Sequence, residues 1–328
     1  MGVVLYRSTD PGAIQLDGLV GSLVGVLDVV LPAAGWSIAF TGTNIRAYRQ
    51  PAALDSPLTL RAYLRVNDAG PGAGGAREAR IVGYETMSDV NTGINPCPTV
   101  AQLANGLFVR KSAAADANTR TWMILADART FYMWILSGDV ASTYLCWMFG
   151  DYYSFMPSDF YRVMVMGRVV ENSAVTGAID GVGNEVDLGN VVGKEGFSSN
   201  MSGHFMFRDA SHAAGAIAAG KVGDRSINPT LIGDGGASIA GFGNLAYKNP
   251  ADSNIYTPPI FVTHSQGGAT IRGLWRGQYH FGHAISAVSD GETFPGTLDL
   301  NGKTFRVIKQ SGNLGIWVAE TSNTWITN

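Results

Sequence analysis

Thr121-Trp122-Met123-Ile124-Leu125-Ala126 and Phe131-Tyr132-Met133-Trp134-Ile135-Leu136 are two apolar, aromatic-rich runs joined by Asp127-Ala128-Arg129-Thr130. Aromatic and branched side chains pack well on a pleated backbone, so the stretch reads as two antiparallel strands with a short polar link. Downstream, Tyr144 to Phe149 and Arg162 to Val170 read as two further strands, with Gly150, Pro157 and Asp159 in their connection. Upstream, Leu58, Leu60, Ala62, Leu64 and Val66 alternate with Thr59, Arg61, Tyr63 and Arg65, the period of a half-buried strand. A glycine-rich loop, Asp68 to Gly75, leads into a strand over Arg77 to Thr86 with Ala79, Ile81 and Gly83 on one face, which makes a long-looped hairpin.

One stretch carries the helical period. Leu16, Leu19, Val20, Leu23, Val26, Leu27 and Val30 recur three or four apart, predicting a helix over Leu16 to Leu31 with Asp17 as its cap and Pro32 and Gly35 at its end. Gly18, Gly21 and Gly25 each weaken it by roughly 1 kcal/mol relative to Ala, which close approach to a sheet would explain.

Beyond Val170 the texture changes: Gly177, Gly181, Gly183, Gly189, Gly193 and Gly196 stand among few aromatics. The change places a lobe boundary here, between an N-terminal helix plus β lobe, residues 1–170, and a loop-rich β lobe, residues 171–328, with a single domain as the alternative. In the second, strands are expected at His204 to Arg208, Ala213 to Val222, Ile260 to Thr263, Ala269 to Trp275, Thr304 to Ile308 and Gly315 to Glu320. Ile227 to Pro259 reads as irregular, and Asn301-Gly302 as a tight turn. The expected fold is mainly β: sandwich-like antiparallel sheets with one N-terminal helix and long Gly-rich loops.

A chain of 328 residues can bury a sizeable core. It is 46% hydrophobic but only 15% charged, against roughly 25% in an ordinary soluble domain. A surface so poor in charge is expected to be covered in part by neighbours, so the chain reads as a subunit of a homo-oligomer. With 42 Gly and 13 Pro beside 10% aromatics, the composition fits short strands with many turns better than disorder as its main explanation. The net charge of −3, with basic clusters no longer than Arg110-Lys111, gives no basis for binding nucleic acid or an anionic membrane. Cys97 and Cys146 cannot form a disulfide framework and point to a reduced, cytoplasmic origin. Met1 to Asp17 lacks a secretory pattern, and Leu19 to Leu31, interrupted by Asp28, is too short to span a bilayer.

Few residues suggest chemistry. His280 and His283 form an HxxH pair, but a metal needs further ligands, and His264, Asp290 and Glu292 are the nearest; the pair reads as loop histidines beside Tyr279 and Phe281. Gly233-Asp234-Gly235-Gly236 lacks the Gly-Lys-Ser/Thr of a phosphate loop, and Gly181-Val182-Gly183 lacks the third glycine and the helix of a dinucleotide site. There is no G-x-S-x-G elbow. Cys146, in an apolar strand, reads as core, and Cys97, between two prolines, as inert. Asp127, Asp151 and Glu85 are the carboxylates a glycosidase pair could use, yet each lies near a strand end where a solvated turn carboxylate is ordinary. Trp122, Phe131, Tyr132, Trp134, Tyr144, Trp147, Phe149, Tyr152, Tyr153, Phe155 and Tyr161 read as core and subunit contacts, with a sugar-binding platform as the alternative. The expectation is a protein that is not an enzyme, with no catalytic, cofactor-binding or metal residues and no cofactor.

Several ordered segments carry a resemblance. They are Tyr6-Arg7-Ser8-Thr9-Asp10, Phe40-Thr41-Gly42-Thr43-Asn44 leading to Tyr48-Arg49, the strand Leu60 to Asp68, and Gly83-Tyr84-Glu85-Thr86-Met87-Ser88-Asp89. Arg129-Thr130-Phe131-Tyr132 and Phe149-Gly150-Asp151-Tyr152-Tyr153-Ser154 follow, then Arg272-Gly273-Leu274-Trp275, Gly302-Lys303-Thr304-Phe305 and Glu320-Thr321-Ser322-Asn323-Thr324-Trp325. In this order they resemble uncharacterised virion structural proteins of tailed bacteriophages, with a departure at Asn323, where relatives tend to be acidic. The resemblance implies a component of the neck, collar, tail or baseplate, assembled in the host bacterial cytoplasm, with itself and other virion proteins as partners. A receptor- or carbohydrate-binding virion module and a capsid decoration protein are the alternatives. The resemblance supplies no site residues.

Overall fold

The computed structural model describes residues 2–51, 61–139, 144–156, 159–168, 171, 203–209, 211–222, 255, 257, 259–264, 270–279, 288–309 and 316–325. Its first strands are β1 (Val4–Arg7), β2 (Ser37–Gly42), β3 (Ile45–Arg49), β4 (Tyr63–Asn67), β5 (Glu78–Met87), β6 (Gly93–Cys97) and β7 (Leu107–Arg110). Then come β8 (Thr121–Ala126), β9 (Thr130–Leu136), β10 (Tyr144–Asp151), β11 (Tyr153–Ser154), β12 (Val163–Gly167), β13 (Gly203–Met206) and β14 (Ala218–Val222). The last are β15 (Pro259–His264), β16 (Thr270–Tyr279), β17 (Thr293–Pro295), β18 (Thr304–Lys309) and β19 (Ile316–Glu320), and the one α-helix among the described residues is α1 (Ser22–Ala33).

The hairpin that anchors the sequence reading is present as β8 and β9, paired antiparallel from Thr121 opposite Leu136 to Ala126 opposite Phe131. With β10 and β12 these strands form a middle layer whose side chains are sorted by the two-residue period of a strand. Trp122, Ile124, Ala126, Phe131, Met133, Ile135, Trp147, Phe149, Val163 and Val165 pack with α1 and the strands β3, β4, β5 and β7. The alternate residues Met123, Leu125, Tyr132, Trp134, Cys146, Met148, Met164 and Met166 pack with Ile260, Val262, Trp275, Ile308 and Ala319. A strand covered on both faces has no solvent side to keep polar, which explains continuous apolar runs in place of alternation.

The protein is mainly β, with antiparallel sheets stacked as in a sandwich. A six-stranded sheet runs β2-β3-β4-β5-β6, with β7 also on β5. A 13-stranded sheet runs β1-β8-β9-β10-β12-β13-β14-β15-β16-β19-β18-β17, with β11 on β16. The second core joins residues from the two halves of the longer sheet, so that sheet folds back upon itself and the molecule has three layers. Pairing of β12 with β13 carries the sheet across residue 171, and the second core draws on residues from both sides of it. Residues far apart in sequence meet here too: Val3 N–H donates to the Asn323 carbonyl at 2.8 Å, and the buried Trp325 ring lies 5.7 Å from Tyr132.

Helix α1 begins six residues later than its apolar spacing predicts. Leu16 forms an isolated bridge with Arg120, which draws the chain before α1 towards β8. A Cβ on Gly18 would stand 1.9 Å from the Ala114 carbonyl oxygen, and Gly21 has φ 83, so two of the three glycines serve this entry turn rather than the helix. Asp17 closes a local turn to the Leu19 N–H at 2.9 Å instead of capping the helix. Asp68 takes over that role, accepting from Leu23 N–H at 2.7 Å. Pro32 fits within the last turn and Gly35, at φ 99, ends it. Leu23, Val24, Val26, Leu27, Val30 and Leu31 are buried against the first core.

Ala62, Leu64 and Val66 face that core as their alternation requires. The β2–β3 hairpin, absent from the periodicity reading, turns through Thr43 and Asn44, with Asn44 in the left-handed region at φ 54. The short strands β1, β6, β7 and β17 have too few residues to show a period. Leu58 to Leu60, the glycine-rich stretch 172–202 and most of Ile227 to Pro259 lie outside the described residues. No helix among the described residues is long and apolar enough to cross a membrane.

Candidate functional site

The middle layer ends in two neighbouring groups of arginines and carboxylates, with all the carboxylates and most of the arginines buried. Where β8 turns into β9, the Asp127 Oδ1 accepts the N–H groups of Arg129 and Thr130, each at 2.8 Å, which fixes the turn. Its Oδ2 accepts Arg276 Nη2 at 2.5 Å, from a strand in the layer beyond. Arg276 Nη1 also donates to Thr130 Oγ1 at 2.9 Å, and that hydroxyl donates to the Asp151 carbonyl at 2.8 Å. Asp151, at the end of β10, takes Gln50 Nε2 at 2.8 Å on Oδ1, with Arg129 Nη1 at 3.2 Å and Arg162 Nε at 3.5 Å on Oδ2.

A second group lies one residue further along the chain. Tyr152 OH donates to Asp159 Oδ2 at 3.0 Å and Ser154 Oγ to the same oxygen at 2.8 Å. Arg272 grips Asp159 with both arms, Nε to Oδ2 at 2.9 Å and Nη2 to Oδ1 at 2.8 Å, and its Nη1 donates to the Arg208 carbonyl. Arg208 in turn pairs with Glu85 of the six-stranded sheet through Nε at 2.6 Å and Nη2 at 2.7 Å, and lies 3.6 Å above the Tyr161 ring. Planar two-point pairing is the strong form of guanidinium recognition, and here it ties three layers together.

Burial and pairing compete for each carboxyl. Burial alone would raise Asp159, but hydrogen bonds and charge from Arg272, with Ser154 and Tyr152, hold it below the usual carboxylate range. For Asp151 burial wins over Arg276, Arg162, Gln50 and Arg129, and its pKa is raised. A raised buried carboxyl is a common mark of acid–base sites, yet both Asp151 oxygens already accept protein donors.

The residues named from sequence are distributed as follows. Asp127, Asp151 and Glu85 are not solvated turn carboxylates: all three are buried and each is paired with arginine. Trp122, Phe131, Tyr132, Trp134, Trp147, Phe149 and Tyr152 are buried inside the chain, so they form its core and neither a sugar platform nor a subunit contact. Tyr153 and Phe155 remain near the surface, with Phe155 47% exposed. Cys97 and Cys146 are free and buried, and burial pushes both thiols well up, aided at Cys97 by Glu85. His280, His283 and the glycines 181, 183, 233, 235 and 236 lie outside the described residues. Among the described residues no group of three or more His, Cys, Asp or Glu could hold a metal.

Periodicity does not reveal the buried arginines, because a charged residue inside an apolar strand looks like the solvent face of that strand. One signal was available: Ile271-Arg272-Gly273-Leu274-Trp275-Arg276 sets two arginines in a strongly apolar run. The ordered segments quoted for the resemblance converge on this set, through Glu85, Arg129, Thr130, Asp151, Tyr152, Ser154 and Arg272. No family model matches the chain, and no curated protein matches it.

Proposed function

We propose that the chain is a structural subunit of a tailed-bacteriophage particle, placed in its neck, collar, tail or baseplate and acting through assembly without turnover. One observation carries the reading most: large apolar side chains stay exposed on a chain in which only 15% of residues are charged. Val100 is 66% exposed, Ile94 62%, Val29 52% and Val20 47%, and subunits cover such side chains with neighbours. The resemblance of ordered segments to virion structural proteins supports the same reading, as does a core stitched by ion pairs across three layers. Its partners are further copies of itself and other virion proteins, and its location is the virion. A capsid decoration protein belongs to the same class.

The test is the mass of the purified chain by light scattering after size exclusion, with negative-stain images of the same fractions. A ring or trimer is expected, and a monomer at every concentration would count against self-assembly. A second reading, a receptor- or carbohydrate-binding module, is favoured by one small aromatic group: Phe155 lies 6.1 Å from Tyr153 and 6.4 Å from Phe261. Glycan binding that is lost in Phe155→Ala would select it.

A further inference from the structure

We propose that Lys111 and Asp68 condense in the folded chain into an isopeptide bond, a covalent staple joining the end of β4 to the end of β7. Lys111 Nζ stands 2.5 Å from Asp68 Oδ1, and neither side chain has any exposed surface. Both residues are placed by their backbones. Asp68 follows β4, where its N–H donates to the Asn44 carbonyl at 2.8 Å and its carbonyl accepts Gly21 N–H at 3.0 Å. Lys111 follows β7, with its N–H on the Arg77 carbonyl at 2.9 Å. Strands β4 and β7 pair with opposite edges of β5, so the bond crosses that strand.

The ion pair is the reactant. Burial raises the Asp68 carboxyl and lowers the Lys111 amine, each against the attraction of the other, so the proton between them is driven from nitrogen towards oxygen. Each of the three ammonium hydrogens has its own acceptor: Asp68 Oδ1, the Leu19 carbonyl at 2.6 Å and Ser22 Oγ at 3.3 Å. Transfer of the first to Oδ1 frees the nitrogen lone pair, which attacks Asp68 Cγ. Negative charge then gathers on Oδ2, which Leu23 N–H at 2.7 Å and Val24 N–H at 3.4 Å already address from the first turn of α1. As the Cγ–Oδ1 bond breaks, Oδ1 leaves as water with the transferred hydrogen and the one on the Ser22 side. Oδ2 becomes the amide carbonyl oxygen, and the hydrogen on the Leu19 carbonyl stays as the amide N–H. The product therefore keeps both the cap on α1 and the bond to Leu19. Fixed positions bring the reacting groups together without a loss of freedom in the reaction itself, and exclusion of solvent opposes hydrolysis.

Mass spectrometry of the native chain, held folded at neutral pH and then denatured, tests this. The chain is expected about 18 Da below its sequence mass, the loss of one water. Trypsin should release residues 66–77 and 111–120 as one branched peptide. Asp68→Asn, which condenses with loss of ammonia, should give the same branched peptide with a deficit of about 17 Da. Lys111→Arg, whose guanidinium does not condense, should yield its peptides unlinked and at full mass. A native chain at its full sequence mass, or a loss of water carried by other peptides, would overturn the proposal.

Discussion

The Asp68 carboxylate caps α1 from 45 residues further along the chain, with Oδ2 2.7 Å from the Leu23 N–H. Its other oxygen accepts Lys111 Nζ at 2.5 Å, and both side chains are fully buried. Lys111 reaches the Leu19 carbonyl as well, at 2.6 Å, so one ion pair fixes the entry turn and the first turn of the helix.

Removing one partner of this pair leaves a buried charge and, for Asp68, uncapped helix donors. Asp68→Ala is expected to cost about 3–5 kcal/mol in urea unfolding. Lys111→Met should cost less, because burial raises the Asp68 carboxyl and lets it take a proton. Equal midpoints for Asp68→Ala and the native chain would contradict this account.

Arg272 and Asp159 are joined across 113 residues. A double-mutant cycle with Arg272→Met and Asp159→Asn should give a coupling energy of about 1–3 kcal/mol. Arg272→Lys should recover only part of it, since an ammonium cannot span both oxygens. A coupling near zero would mean that the pair is not the tie between layers.

The pH dependence follows from opposing shifts. Asp159 and Asp139 are held below the usual carboxylate range: burial acts to raise both, and bonds from Arg272 or Arg110 outweigh it. A lowered folded pKa stabilises above the ordinary value and loses that contribution as pH falls through the folded one. Asp68 and Asp151 are raised by burial, so each favours folding in its protonated form and weakens it as pH rises through the folded value. Stability should therefore fall below about pH 4 with a slope that Asp159→Asn reduces. Urea midpoints from pH 3 to pH 7 measure it, and an unchanged slope in the variant would exclude Asp159 as a contributor.

Two glycines separate close approach from backbone freedom. A Cβ on Gly273 would lie 1.9 Å from the Tyr153 carbonyl oxygen, so Gly273→Ala must break the β11–β16 pairing and is expected to cost about 2 kcal/mol or more. Gly302, at φ 84 with nothing within 4 Å, should cost about 1 kcal/mol on the same change. A thermal-melt comparison that reverses this order would show that the contact, and not the dihedral angle, has been misjudged.

Much of the fold was legible because it depends on local pattern. The β8–β9 pair, β10 and β12 follow from apolar, aromatic-rich runs, β4 from the alternation of Ala62, Leu64 and Val66, and the mainly β class with one helix near the N-terminus from these together with the one helical period. The start of α1 was not legible, because its cap arrives from Asp68 while the nearer Asp17 closes a turn. Short strands such as β6 and β7 gain their hydrogen bonds from β5 and carry too little pattern of their own.

The apolar runs that become β8, β9, β10 and β12, and the low share of charged residues, can be read from the residues alone, since both are properties of composition and spacing. That Asp127, Asp151 and Glu85 are partners of arginine rather than solvated turn residues, and that Trp122, Trp134 and Trp147 lie within the chain, emerges from the packing of distant strands. The reason is physical: an ion pair such as Arg272 with Asp159 forms between strands distant in sequence, and a carboxylate gives no local sign of whether water or a guanidinium will stabilise its charge.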